Sequence, residues 1–224
     1  MGAAEQVVDG GRVLARHGLV TAFGHVSVRE GDDMVITPPV PLRVAAAADC
    51  RRVPLGATAL PAGVPAEAWL HLAVYRARPD VGAVCRAQPD DATSLAAAGV
   101  RIGPVTGHAV LAGAPVPVSG PAVLVRDAAT AERAVAALGA GDALVLRGNG
   151  AVTTADALGR AVARMWLLAR VARSVALAAS AGTPRDLSDE EIASWRAVSG
   201  ELLDRVRAYL DLPDDPSTAR ERPT

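Results

Sequence analysis

One stretch, Arg76–Ala96, constrains the fold more than any other: R-A-R-P-D-V-G-A-V-C-R-A-Q-P-D-D-A-T-S-L-A. Two Pro-Asp pairs, at 79–80 and 89–90, are turn signals. Between them Val81–Cys85 is an apolar run of the length of a buried strand. A helix ends before the first turn and another begins after the second. The chain must therefore build a layered α/β structure in which helices cover a sheet. Arg86 and Gln88 are two apart, so they project the same way from the carboxyl end of that strand. In open α/β sheets this end commonly hosts chemistry.

The rest of the chain supplies the other layers. Ala3–His17 has helical spacing and stops at Gly18. Val20–Glu30 alternates like a strand, Gly31-Asp32-Asp33 is a hairpin turn, and Met34–Thr37 is the return strand. Val44–Cys50 reads equally as a short helix or a strand, and Arg52–Ala59 as strand and turn. Helices are predicted over Ala66–Arg76, Asp91–Ala98 and Thr130–Leu138, the last with Thr130 as a possible cap. Val105–Ala112 and Val116–Val118 read as strands. Ala143–Leu146 is a buried strand, Arg147–Gly150 a tight loop that suits a left-handed Asn149, and Ala151–Thr153 a further strand. A long Ala-rich helix over Ala155–Ala181 follows. Ser188 and Glu191 form a capping box for a last helix to about Leu210. The hairpins predict a largely antiparallel sheet with helices on its faces, in a single domain over residues 1–212. Pro213–Thr224 reads as a flexible tail.

Composition excludes several function classes. Half of the residues are hydrophobic but only 3% are aromatic, so the core is Ala, Val and Leu. A formal charge of −1 argues for neither a nucleic-acid nor a membrane-surface partner. All 23 basic residues are arginine, which removes any Schiff-base lysine and the lysine route to aldol chemistry. Two cysteines, no signal-like start and no long apolar span point to a cytoplasmic protein with reduced thiols.

Several ordered motifs carry a family resemblance. They are A-F-G-H-V-S-V-R at 22–29, I-T-P at 36–38, E-A-W-L-H-L-A-V-Y at 67–75, R-P-D-V at 78–81 and L-V-L-R-G-N-G at 144–150. The chain resembles the class II aldolase/adducin family over roughly Gly10–Gly182. The resemblance implies that family's fold, enolate-type chemistry beside a carbonyl or carboxylate, and a homo-oligomer, a tetramer in most members. In such an assembly a neighbouring chain can supply a missing group, with Tyr209 as a candidate. Members place an acidic residue and three histidines around a divalent metal. Flanking sequence carries these positions onto Glu67, Arg86, Gln88 and Asn149. Only the acid is kept, and a guanidinium cannot ligate a metal. The resemblance therefore implies a site without the usual zinc or other divalent ion. The serines of the sugar-phosphate pocket are also missing, since Val64-Pro65-Ala66-Glu67 and Thr37-Pro38-Pro39 stand in their place. A small non-phosphorylated carbonyl or carboxylate substrate fits better.

For the site, Glu67 is the candidate acid/base and Arg86 the charge stabiliser. Each has a plainer reading, as an acid suiting a helix N-terminus and as a surface arginine lying over a strand end. Gln88 and Asn149 are candidate orienting groups, and His25, Ser27, Thr37 and His108 candidate substrate contacts. His71 reads as structural. A decarboxylase or aldolase-type lyase is the favoured function. A non-catalytic scaffold is the alternative, and a relocated metal site of His25, His108 and Glu67 a third option.

Overall fold

The structure, a computed structural model, describes residues 1–213. Seven strands form one sheet: β1 (His25–Glu30), β2 (Asp33–Ile36), β3 (Arg51–Pro54), β4 (Ala83–Ala87), β5 (Val118–Ser119), β6 (Ala143–Leu146) and β7 (Gly150–Ala155). Their order is β3-β2-β1-β4-β7-β6-β5. Only β5 and β6 pair in parallel. Among the described residues the eight α-helices are α1 (Ala3–Arg16), α2 (Ala68–Ala77), α3 (Asp90–Ala97), α4 (Gly107–Leu111), α5 (Ala128–Leu138), α6 (Leu158–Ala181), α7 (Asp189–Ala197) and α8 (Ser199–Leu210).

Strand alternation divides the core in two. Ala83, Cys85 and Ala87 of β4, with Val26 and Val28 of β1, pack with residues of α1, α3 and α6 on one face. Val84 of β4 packs with residues of α2 and α5 on the other. On that second face β1 presents His25, Ser27 and Arg29 instead of apolar residues. The α2 side of β1 is therefore joined through polar groups, and this is where the site lies.

The strand expected to end at Cys85 begins two residues later and continues through Arg86. Gly82 sets the earlier limit. It passes the end of β7 so closely that a Cβ would lie 2.0 Å from the Asp156 carbonyl oxygen. Arg86 is consequently an interior residue of the central strand, 1% exposed, and not a surface arginine.

Other expectations are corrected. Val105–Ala112 is not a strand: Thr106 caps α4 by accepting the Ala109 amide, and the alternation persists only as an Ile102–Val116 bridge. Asp127, not Thr130, caps α5, accepting both the amide and the hydroxyl of Thr130. The Ser188/Glu191 capping box forms as expected, but the last helix breaks at Val198 into α7 and α8. The break lets α8 bury Leu203 and Leu210 while α7 buries nothing. Val44–Cys50 is neither a strand nor an α-helix: 3-10 segments at Leu42–Val44 and Ala47–Asp49 take up most of it. Both cysteines are free thiols. Among the described residues no helix is long and apolar enough to cross a membrane. All of the expected tail except Pro213 lies outside the described residues.

Candidate active site

Arg86 stands on β4 directly opposite His25 of β1 on one side and Val152 of β7 on the other. Its Nη2 donates to the Asn149 carbonyl at 2.7 Å and to Asn149 Oδ1 at 2.6 Å. The same nitrogen lies 3.2 Å from Glu67 Oε2. Asn149 Nδ2 donates to Glu67 Oε1 at 2.7 Å, and His25 Nε2 lies 3.3 Å from Oε2. Glu67 occupies the position just before α2, so the helix start fixes its carboxylate. Arg86, Asn149 and Glu67 thus close a ring of charge-assisted contacts, and His25 joins it at Glu67.

Asn149 reaches this ring because of the turn that carries it. Its amide donates to the Leu146 carbonyl, and Gly148 and Gly150 take the positive φ values, 69° and 104°. No non-glycine residue among those described has positive φ, so the left-handed Asn149 expected from G-N-G is not formed. A Cβ at Gly150 would lie 2.2 Å from the Ala87 carbonyl. The two glycines take up the curvature and leave Asn149 free to bond with both its backbone and its side chain.

These groups form the floor of a cleft of about 460 Å³, with Gln88 beside Arg86. Exposed Phe23 (68%), Val40 and Leu124 stand at its mouth with Arg126.

The electrostatics follow from burial. Desolvation pushes the Glu67 carboxyl up, but the His25 hydrogen bond, the Arg86 charge and the Asn149 amide together outweigh it and hold the group at about 2. Glu67 is therefore an anion near neutral pH. Burial lowers Arg86, opposed by Glu67, and a guanidinium remains charged under such a shift. Burial also lowers His25, with Arg86 adding to the effect and Glu67 opposing it. His71 is pushed well down by burial, then by His25 and Arg86. Both imidazoles are neutral. Arg86 Nε and Nη1 are buried without a hydrogen-bond partner among the described residues.

Sequence reasoning brings Glu67, Arg86, Gln88, Asn149 and His25 to one place, and the structure does the same. Ser27 and Thr37 lie behind the cleft instead. Ser27 is fully buried against His71 and Tyr75, and the Thr37 hydroxyl accepts the Val26 amide. His108 is on α4 and lines a separate hollow with Trp166, Trp195 and Tyr209. It joins neither the cleft nor a trio with His25 and Glu67. Among the described residues no three His, Cys, Asp or Glu side chains form a metal-sized cluster. The donor set at the family's metal position is one carboxylate already paired to a guanidinium, with two amide side chains. Such a set does not fit a borderline divalent ion. Sequence reasoning misses Tyr75 and gives His71 no part in the chemistry. Their signal is spacing, because 67, 71 and 75 lie on one helical face while 25, 27 and 29 lie on one strand face.

The class II aldolase and adducin N-terminal domain model matches residues 5–176. The chain belongs to this family. A 3,4-dihydroxyphthalate decarboxylase of Terrabacter sp. (strain DBF63) is 35% identical over 215 residues, covering 86% of this chain and 89% of that protein. An enzyme of the same name from Arthrobacter keyseri is 30% identical over 220 residues, covering 90% and 89%. Among solved structures, an L-fuculose 1-phosphate aldolase superposes with a TM-score of 0.78 at 22% identity, covering 91% of this chain and 94% of its own. At that identity the likeness shows the fold alone. The L-fuculose-1-phosphate aldolase of Thermus thermophilus gives 0.70 at 26% identity, covering 81% and 97%. Decarboxylase relatives and a class II aldolase fold place the chain among lyase-type enzymes.

Proposed function

We propose that this enzyme decarboxylates a small, non-phosphorylated, hydroxylated aromatic acid of the 3,4-dihydroxyphthalate type, and does so without the divalent metal usual in its family. The observation that carries the reading is Arg86. It is a buried cation among the residues lining the cleft, and its Nε and Nη1 have no hydrogen-bond partner among the described residues. A buried donor left unpaired is costly, and a bound carboxylate or phenolate relieves that cost. The names of the curated relatives supply the substrate class.

The chemistry balances with the groups that line the cleft. The substrate carboxylate, ortho or para to a ring hydroxyl, pairs with Arg86. This draws Arg86 from Glu67 and makes Glu67 more basic. Glu67 takes the hydroxyl proton and returns it to the ring carbon bearing the carboxylate. The C–CO2 bond then breaks, its electron pair refills the ring as a phenolate, and CO2 leaves. The phenolate regains a proton from water. Arg86 stabilises the negative charge at each stage, while Gln88 and Asn149 orient the ring. A homo-oligomer, a tetramer on the family resemblance, is the working form.

The test is CO2 release from 3,4-dihydroxyphthalate by protein purified without added metal and dialysed against a chelator. Turnover should survive dialysis, with no stoichiometric metal by elemental analysis. Arg86→Met should lower kcat/KM by roughly 100-fold or more. Bound zinc, manganese or iron whose removal abolishes turnover would overturn the metal-free reading. Absence of any CO2 release would overturn the substrate class.

A further inference from the structure

Behind Glu67 runs an unbroken line of hydrogen bonds into the core. His25 Nε2 meets Glu67 Oε2 at 3.3 Å, and His25 Nδ1 meets His71 Nε2 at 2.8 Å. His71 Nδ1 meets the Ser27 hydroxyl at 2.6 Å, which meets the Tyr75 hydroxyl at 2.8 Å. His71, Ser27 and Tyr75 are 1% exposed or less and His25 is 5% exposed. The line has one end in the cleft and the other enclosed.

With both imidazoles neutral, as their burial favours, valence assigns its polarity. A carboxylate only accepts, so His25 must carry its proton on Nε2. A neutral imidazole with Nε2–H has an acceptor at Nδ1, so His71 must donate from its own Nε2. His71 Nδ1 is then an acceptor, which obliges the Ser27 hydroxyl to donate to it. The Ser27 oxygen in turn accepts from Tyr75. Four donors point the same way, towards Glu67. The opposite polarity would turn the His25 Nε2 lone pair on the carboxylate.

We propose that Tyr75, Ser27 and His71 are positioning residues for the catalytic carboxylate, acting through His25 as a one-way hydrogen-bond chain that holds Glu67 ionised and aimed at the cleft. No proton leaves through the chain, because its far end is closed. Each link polarises the next, so the N–H presented to Oε2 is stronger than that of an isolated imidazole. The Oε1 side is held by Asn149 alone. Glu67 thus has one face fixed from the core and one supported by a loop. The catalytic part of this inference rests on the decarboxylase reading, but the polarity does not.

Two measurements separate them. Nitrogen-15 NMR of the wild-type imidazoles at neutral pH should show both His25 and His71 neutral and protonated on Nε2. In Ser27→Ala, whose His71 loses its donor, the His71 signal should shift towards exchange between tautomers. A wild-type His25 or His71 protonated on Nδ1, or a charged one, would overturn the chain, and this outcome needs neither a folded variant nor a substrate. In CO2 release from 3,4-dihydroxyphthalate, Tyr75→Phe removes only the terminal hydroxyl, and it should lower kcat roughly 10-fold with KM within about twofold. Unchanged kcat would overturn the catalytic role while leaving the polarity intact. A wild type that releases no CO2 would count against the decarboxylase reading and the catalytic role that rests on it; the tautomer spectrum still decides the polarity.

Discussion

Arg86 and Glu67 form an ion pair whose side chains are only 2% and 14% exposed. Removing one partner should therefore cost more than removing both. Glu67→Gln leaves the guanidinium buried beside a neutral amide and should destabilise the fold by about 3–5 kcal/mol. Glu67→Gln combined with Arg86→Met should recover most of that loss, as read by urea denaturation. A double variant less stable than the single one would show that the unpaired charge is not what the single variant suffers from. The presence of these residues was legible in the sequence, since flanking motifs aligned Glu67, Arg86, Gln88 and Asn149. Their contacts were not, because hydrogen bonds such as Asn149 to Glu67 span 82 positions of chain. Residue spacing carries no information about which turn closes over which strand end.

At the scale of elements, the site depends on two surfaces of different period. His25, Ser27 and Arg29 alternate along β1, while Glu67, His71 and Tyr75 recur once per turn along α2 and the residue before it. Arg29 completes the match, donating to the Tyr75 and Arg78 carbonyls while its guanidinium sits 5.0 Å from the Tyr75 ring centroid. Both periods can be read from the sequence, but not that the two surfaces face each other. Val105–Ala112 shows the opposite case: its apolar residues suit either period, and Thr106 decided for helix. The turn before β7 makes a further prediction. Gly150→Ala adds a Cβ at positive φ against the Ala87 carbonyl, so it should destabilise by about 1–3 kcal/mol and lower turnover together with stability. A Gly150→Ala protein with normal melting and normal activity would mean that the turn can be rebuilt without consequence.

For the whole molecule, the buried imidazoles set how stability responds to acid. His25 and His71 have lowered values in the folded state, so below the ordinary histidine value of about 6.5 the unfolded chain binds more protons. Stability should be full above that point and fall as pH drops, by up to about 1.4 kcal/mol per pH unit for each histidine. Glu67, held at about 2, adds its own loss as pH falls from the ordinary carboxylate range towards that value. Denaturation midpoints from about pH 7.5 to about pH 5.5 test this, and a flat profile would contradict it. The sheet-and-helix architecture was legible because turns and apolar runs punctuate it. The break at Val198 was not, since capping signals mark where a helix starts and not where packing bends it. Arg86 has one more consequence. Its charge is installed when the chain is translated, one per molecule, and cannot be withheld by scarcity or displaced by a competing ion. Every folded copy therefore carries that charge from synthesis onward, with no loading step.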